Sequence, residues 1–129
     1  MKWISNVVTA AIFTTISINS LPVFAHGPLS KPLYGGVVVK VDPLEIELVA
    51  TATTITLHVM DHGKPLDTKG VTAKLTLLSG TDKFDVVVLP AGDNRLAASG
   101  TFNVKKGTRV VGVVAVAGAK PLSMRWVLP

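Results

Sequence analysis

The chain has 129 residues, no cysteine, 48% hydrophobic residues and only 16% charged residues. This length suits one compact domain, and the lack of cysteine excludes thiolate catalysis, zinc-finger ligation, iron–sulfur clusters and disulfide bonds. The formal net charge of +5 is spread along the chain without a basic run, which argues against nucleic acid as a partner.

Residues 1–25 have the pattern of a secretory signal peptide. Lys2 precedes an apolar stretch from Val7 to Ile18, and Val23-Phe24-Ala25 forms a small-x-small cleavage site. A membrane anchor is the alternative, but it requires roughly 20 predominantly apolar residues, and this stretch is shorter and interrupted by Thr and Ser. We therefore expect cleavage after Ala25, export of the mature protein and no membrane span in it.

The mature chain is predicted to be all-β. Residues 26–34 contain two prolines and predict an extended N-terminal arm, whereas residues 35–129 predict a single β-domain. The residues after position 25 include 29 Val, Thr and Ile, which favour strands, and no window of a dozen residues keeps a helical period. Eight strands separated by turn residues are predicted at Val37–Val41, Leu44–Ala50, Thr54–Met60, Val71–Leu78, Lys83–Leu89, Arg95–Ala98, Arg109–Ala117 and Ser123–Leu128.

Seven or eight short strands in about 100 residues are typical of an immunoglobulin-like β-sandwich, and a small barrel is the alternative. Alternation of apolar and polar residues predicts the buried faces of the second and third strands. Their inward residues are Leu44, Ile46, Leu48, Ala50, Ile55, Leu57 and Val59. The runs Val86–Val88 and Val110–Val116 are apolar on both faces, which predicts central strands.

The strands Leu44–Ala50 and Thr54–Met60 are predicted to pair as an antiparallel hairpin around Ala52-Thr53. Closing the core places Ile46 opposite Val59 and Leu48 opposite Leu57, because a slip of one residue would turn the apolar set outward.

The same register places Glu47 opposite His58 and Glu45 opposite Met60, all on the outward face, where both carboxylates are expected to be solvated. Directly opposed side chains lie roughly 4.5–5.5 Å apart at Cβ. An adjacent carboxylate favours the charged imidazole, so the pKa of His58 is expected to lie above its ordinary value of about 6.5.

The three histidines of the mature chain fall in two places, the new N-terminus and the segment Leu57–His62. Cleavage gives His26 a free α-amine beside its imidazole, a two-nitrogen chelate that suits Cu(II). His58 and Met60 lie two apart on one strand face, roughly 6.5–7 Å from each other. Imidazole and thioether ligands suit copper in both oxidation states.

His62 lies on the same strand face as His58 and Met60 but about 13 Å from His58 in an extended strand. It therefore joins the site only if the chain curls at Asp61-His62-Gly63. The predicted metal ligands are therefore His26, His58, Met60 and His62, with Cu(II) or Cu(I) favoured over zinc. Ordinary explanations remain open for each: a turn at His62-Gly63, a solvated His58, a packing role for Met60 and, for His26, an accident of where the signal peptide is cleaved.

No catalytic machinery is recognisable in the sequence. The serines lack a G-x-S-x-G elbow, no His–Asp pair has the context of a triad, and neither glycine-rich phosphate motif is present. We therefore expect a non-enzymatic protein.

The runs YGGVVVKV, LEIELVA and ITLHVMDHGKPLDTKGVTAKLTLLSG, which together span about Tyr34 to Gly80, carry a family resemblance. They resemble small periplasmic proteins associated with heavy-metal efflux systems and the extra N-terminal β-domain of heavy-metal efflux periplasmic adaptors. The resemblance implies a role in handling copper, zinc, cobalt or nickel, with an efflux adaptor or other envelope protein as partner. Two positions depart from the family pattern: Tyr34 stands in place of a histidine, and His58 in place of an aromatic residue.

Two functions follow from these observations. The first is a periplasmic metal-binding or metal-resistance accessory protein. The second is a metal-free β-sandwich interaction module that docks on an efflux adaptor or other envelope protein through its sheet edges.

Overall fold

The computed structural model describes residues 30–129, which form nine β-strands and contain no α-helix. The strands are β1 (Val37–Val41), β2 (Leu44–Ala50), β3 (Thr54–Asp61), β4 (Lys64–Pro65), β5 (Thr72–Ser79), β6 (Asp82–Pro90), β7 (Arg95–Ser99), β8 (Arg109–Ala115) and β9 (Leu122–Val127). The all-β prediction is confirmed, and each of the eight predicted strands is present within two residues of its predicted ends. The predicted signal peptide and His26 lie outside the described residues. Between Ser30 and Pro129, no helix is long and apolar enough to cross a membrane.

All strand pairs are antiparallel, and they follow one hydrogen-bonded path in the order β1-β2-β3-β7-β6-β5-β8-β9, with β4 added beside β3. Strand β6 pairs with β5 over most of its length and turns to β7 only at Leu89 and Pro90. The two ends of the path, β1 and β9, lie against each other. The strands therefore form a nearly closed sheet around one core.

The core is made by the inward side chains of both halves of this sheet. The predicted inward residues of β2 and β3 are buried, apart from a half-buried Ala50, because alternation along a strand sends every second side chain to the same face. Trp126 in β9 is 1% exposed, and its indole Nε1 donates a hydrogen bond of 3.2 Å to the carbonyl oxygen of Ile46 in β2. This bond connects the two halves of the sheet across the core.

The runs Val86–Val88 and Val110–Val116 fall in β6 and β8, which lie inside the pairing path, as predicted for central strands. The outer faces of these strands are nevertheless uncovered: Val87 is 59% exposed and Val113 is also exposed. Their inward neighbours Val88 and Val114 are fully buried. The closed sheet encloses only one apolar layer, and none of the residues from 30 to 129 forms a second layer over the outer face of β5, β6 and β8.

Candidate functional site

The β2–β3 hairpin has the predicted register. Glu47 pairs with His58 and Glu45 with Met60, while Ile46 and Leu48 face Val59 and Leu57 from the core side. The connecting loop contains no glycine. Instead, the Thr51 N–H donates to the Thr54 carbonyl at 2.8 Å, and the Thr51 hydroxyl oxygen accepts from the Thr54 N–H at 3.0 Å.

The outer face of this hairpin is covered by residues 30–36. These residues, which include the described part of the predicted 26–34 segment, are called the arm from here on. The Glu47 carboxylate accepts three backbone hydrogen bonds from it: from Leu33 at 2.8 Å, Tyr34 at 2.9 Å and Gly36 at 2.8 Å. Glu47 is consequently only 5% exposed, so the expectation of a solvated carboxylate is wrong at this position. The cause is a contact between segments more than ten residues apart, which strand alternation does not encode.

His58 is buried by the same arm. The Tyr34 ring stacks on the imidazole with ring centroids 3.6 Å apart and planes inclined by 7°. His58 lies on the predicted outward face but is 8% exposed, so it is not a solvated residue. Its Nδ1 is buried and has no hydrogen-bond partner within the described part of the chain. An unpartnered buried nitrogen is costly, and such atoms in native proteins call for an explanation such as a bound ion or water.

The pKa values of His58 and Glu47 are both lowered. Burial is the main cause for His58, and the Arg95 charge adds to it, while the Glu47 charge only partly opposes the shift. The expectation that the pKa of His58 is raised is therefore wrong, because the arm removes the imidazole from water. For Glu47, burial would raise the pKa, but the three arm hydrogen bonds and the His58 charge outweigh it.

A cavity of about 320 Å³ lies between the arm and the hairpin. It brings together His58 and Met60, two of the predicted ligands, with a carboxylate from Glu45. The Met60 sulfur also accepts a contact of 3.8 Å from the Asn94 amide. The full lining consists of Ser30, Lys31, Leu33, Tyr34, Val38, Glu45, Glu47, His58, Met60 and Gly63.

His62 does not line this cavity. The chain does curl at His62-Gly63, where φ angles of 48° and 77° meet the requirement of a type I′ turn between β3 and β4. The curl leaves the His62 imidazole mostly exposed, with Nδ1 2.6 Å from the Asp61 carboxylate. Residues 30–129 contain no cluster of three or more His, Asp or Glu side chains suited to a metal ion.

The sequence argument missed the role of Tyr34 and the burial of Glu47. The signal available was local: an aromatic residue immediately before Gly35-Gly36, where the chain leaves the arm and enters β1. Nothing in that pattern identifies the partner of the aromatic ring, because the partner lies 24 positions further along the chain.

The lowered pKa values predict that acid loosens the arm. A lowered folded-state pKa means that the unfolded chain binds protons first, so stability is lost as the pH falls. For His58 the loss begins near its unfolded value of 6.5, and for Glu47 near 4.5. We expect the amide protons of Leu33 and Tyr34 to exchange faster, relative to the unfolded chain at the same pH, at pH 5.5 than at pH 7.5.

The control is His58→Phe, which retains an aromatic partner for Tyr34 but cannot titrate. This variant is expected to abolish the change in arm protection between pH 7.5 and 5.5. Equal pH dependence in the wild type and the variant would contradict the assignment to His58.

Comparison with known proteins gives no match for this chain to any family model, curated protein or solved structure. The resemblance to proteins of heavy-metal efflux systems therefore stays a prediction.

Proposed function

We propose that this protein is a non-enzymatic periplasmic metal-binding or metal-resistance accessory protein, with copper as the favoured metal. The site is the cavity between the arm and the β2–β3 hairpin. The observation that carries the proposal is the buried His58 imidazole, whose Nδ1 has no partner within residues 30–129 and which lines one cavity with Met60.

The donor set favours copper over zinc. The Met60 thioether is a soft ligand that suits Cu(I), and imidazole suits both copper oxidation states. Tyr34 covers a face of the His58 ring, whereas a metal binds imidazole in the ring plane, so stacking orients the ring without occupying its nitrogen atoms. Glu45 supplies a carboxylate oxygen in the same cavity.

His26 is the proposed third protein ligand. Ser30 lines the cavity, and a chain of four residues spans at most roughly 14 Å, so His26 is within reach of the site. Cleavage after Ala25 would add the free α-amine and complete a chelate for Cu(II). His62, which lies away from the cavity, is left out of the proposed set.

The test is a metal titration of the protein that begins at His26, with Cu(II), Cu(I) and Zn(II) each used alone. We expect the double variant His58→Phe, Met60→Leu to bind Cu(I) at least tenfold more weakly, because both side-chain donors are removed. One added residue before His26 is expected to weaken Cu(II) binding and leave Cu(I) binding within twofold.

The control is His62→Asn, which keeps a residue that tolerates the positive φ of the turn and removes an imidazole outside the cavity. It is expected to leave every affinity within twofold. Unchanged Cu(I) affinity in the double variant would refute the site, and loss of affinity in His62→Asn would move it to the turn.

A second candidate is the metal-free interaction module that docks on an efflux adaptor or other envelope protein. The specific observation in its favour is the exposed apolar face of β6 and β8, with Val87, Leu89 and Val113. The terminal strands β1 and β9 lie against each other, so this sheet face is a better docking surface than the predicted sheet edges. Absence of metal binding by the wild type, together with loss of adaptor binding by a folded Val87→Lys variant, would support this function.

For the fold, we propose that the two halves of the sheet are the layers of an immunoglobulin-like sandwich. One half contains β1, β2, β3 and β7, and the other β5, β6, β8 and β9. The turn of β6 from one half to the other and the Trp126–Ile46 bond across the core support this proposal.

A further inference from the structure

We infer that the arm is a clamp that slows the exchange of the bound metal, and that Glu47 is the positioning residue that holds this clamp closed. The inference rests on the proposed metal site. It adds a kinetic role for residues 30–36 and assigns Glu47 a role in metal retention without ligation.

Glu47 is better suited to holding the arm than to binding the metal. Its Oε1 accepts hydrogen bonds from Tyr34 and Gly36, and its Oε2 accepts one from Leu33, so three of the four acceptor sites of the carboxylate are used by the arm. Hydrogen bonds to a charged acceptor are among the stronger ones in proteins. The three donors lie within four consecutive residues, so one side chain fixes the whole turn of the arm.

The arm also controls access to His58. The Tyr34 ring lies parallel to the imidazole at 3.6 Å, and with the arm in place only 8% of His58 is accessible. Ser30, Lys31 and Leu33 form the arm side of the cavity, while Glu45 and Met60 form its sheet side. A metal held by His58 and Met60 is therefore enclosed by the arm, and its exchange with solvent requires the arm to move.

Two contacts hold the arm against the sheet: the hydrogen bonds to the Glu47 carboxylate and the stack of Tyr34 on His58. Among the side-chain hydrogen bonds of the described chain, those that reach the arm all end on the Glu47 carboxylate. Tyr34 and Leu33 are themselves largely exposed. Little other burial holds the arm, so removing one of these two contacts is expected to release it while the closed sheet stays folded.

The experiment measures the rate at which the Cu(I)-loaded protein that begins at His26 loses its metal to an excess of a competing chelator. Glu47→Gln keeps the size of the side chain and removes the charge that holds the arm. We expect it to release copper at least tenfold faster than the wild type. The control is Asp85→Asn, which removes a carboxylate charge from β6, where Asp85 contacts Thr76 and Lys74 and lines neither the arm nor the cavity. It is expected to stay within twofold.

Tyr34 provides an independent pair of variants at an exposed position, where folding is not at risk. Tyr34→Ala removes the ring above His58 and is expected to release copper several-fold faster. Tyr34→Phe keeps the stack and is expected to restore the wild-type rate. Copper binding is also expected to slow amide exchange at Leu33, Tyr34 and Gly36 by at least tenfold.

The possible results distinguish failure of the clamp from failure of the metal site. Copper release at the wild-type rate from Glu47→Gln and Tyr34→Ala would overturn the clamp and leave the metal site standing. An equal acceleration in Asp85→Asn would assign the effect to the overall charge of the protein and likewise overturn the clamp. Absence of Cu(I) binding by the wild type would refute the proposed function itself, and the clamp with it.

Discussion

Trp126→Ala is expected to lower the free energy of unfolding by about 3–5 kcal/mol, the usual loss for truncating a large buried aromatic residue. Trp126 is the largest fully buried side chain in the described residues, and its indole hydrogen bond joins β9 to β2. The substitution leaves a cavity and also removes the hydrogen bond to the Ile46 carbonyl. Urea unfolding followed by far-ultraviolet circular dichroism measures the loss.

Val127→Ala is the control for this prediction. It is the next residue in β9, but its side chain lies on the exposed outer face. The free energy of unfolding should change by no more than about 0.5 kcal/mol. Similar losses in the two variants would show that the alternation assigned to β9 is wrong.

Gly36→Ala is expected to destabilise the protein by about 2–3 kcal/mol, at the upper end of the range for added atoms in a packed region. A Cβ at position 36 would clash with the Leu48 carbonyl oxygen and lie 2.9 Å from the Leu48 carbonyl carbon. These are backbone atoms of β2, which cannot rotate away. The Gly36 N–H also donates to Glu47, so a shift of the chain here would disturb the arm.

Gly35→Ala is the control that distinguishes a steric clash with β2 from the general cost of replacing a glycine. Gly35 has φ of 76°, but a Cβ at that position has open space around it. We expect a loss of about 1 kcal/mol, the cost of a side chain in the left-handed region. Equal losses at positions 35 and 36 would mean that the β2 backbone moves aside for the added methyl group.

The strand positions and the β2–β3 register could be predicted because each depends on local alternation. The apolar set Ile46, Leu48, Leu57 and Val59 has only one parity that reaches the core, and that parity together with the short loop after Ala50 fixes which side chains oppose Glu47 and Met60. The apolar run in β6 also placed that strand in the interior of the sheet, but it says nothing about whether another segment covers the outer side chain of Val87, which is exposed.

The environment of the candidate site could not be predicted in the same way. Glu47 and His58 were placed on the correct face, but their solvation depends on where residues 30–36 return over the sheet. That path is set by hydrogen bonds from the arm to the Glu47 carboxylate, 11 to 14 positions away. Such contacts produce no periodic pattern in the sequence. The error in the direction of the His58 pKa shift follows directly, because burial of the imidazole under the arm lowers its pKa by more than the Glu47 charge raises it.

The bond from Trp126 to Ile46 also gives the protein a built-in optical signal. The sequence holds two tryptophans, and the other, Trp3, falls within the predicted signal peptide, so tryptophan emission from the processed chain, excited at a wavelength that tyrosine does not absorb, would come from Trp126 alone. Its indole rests against the inner face of β2, and the cavity lies over the outer face of the same strand, at a separation on the order of 10 Å. Paramagnetic Cu(II) bound in the cavity would quench the Trp126 emission, whereas Cu(I) and Zn(II) would not quench it.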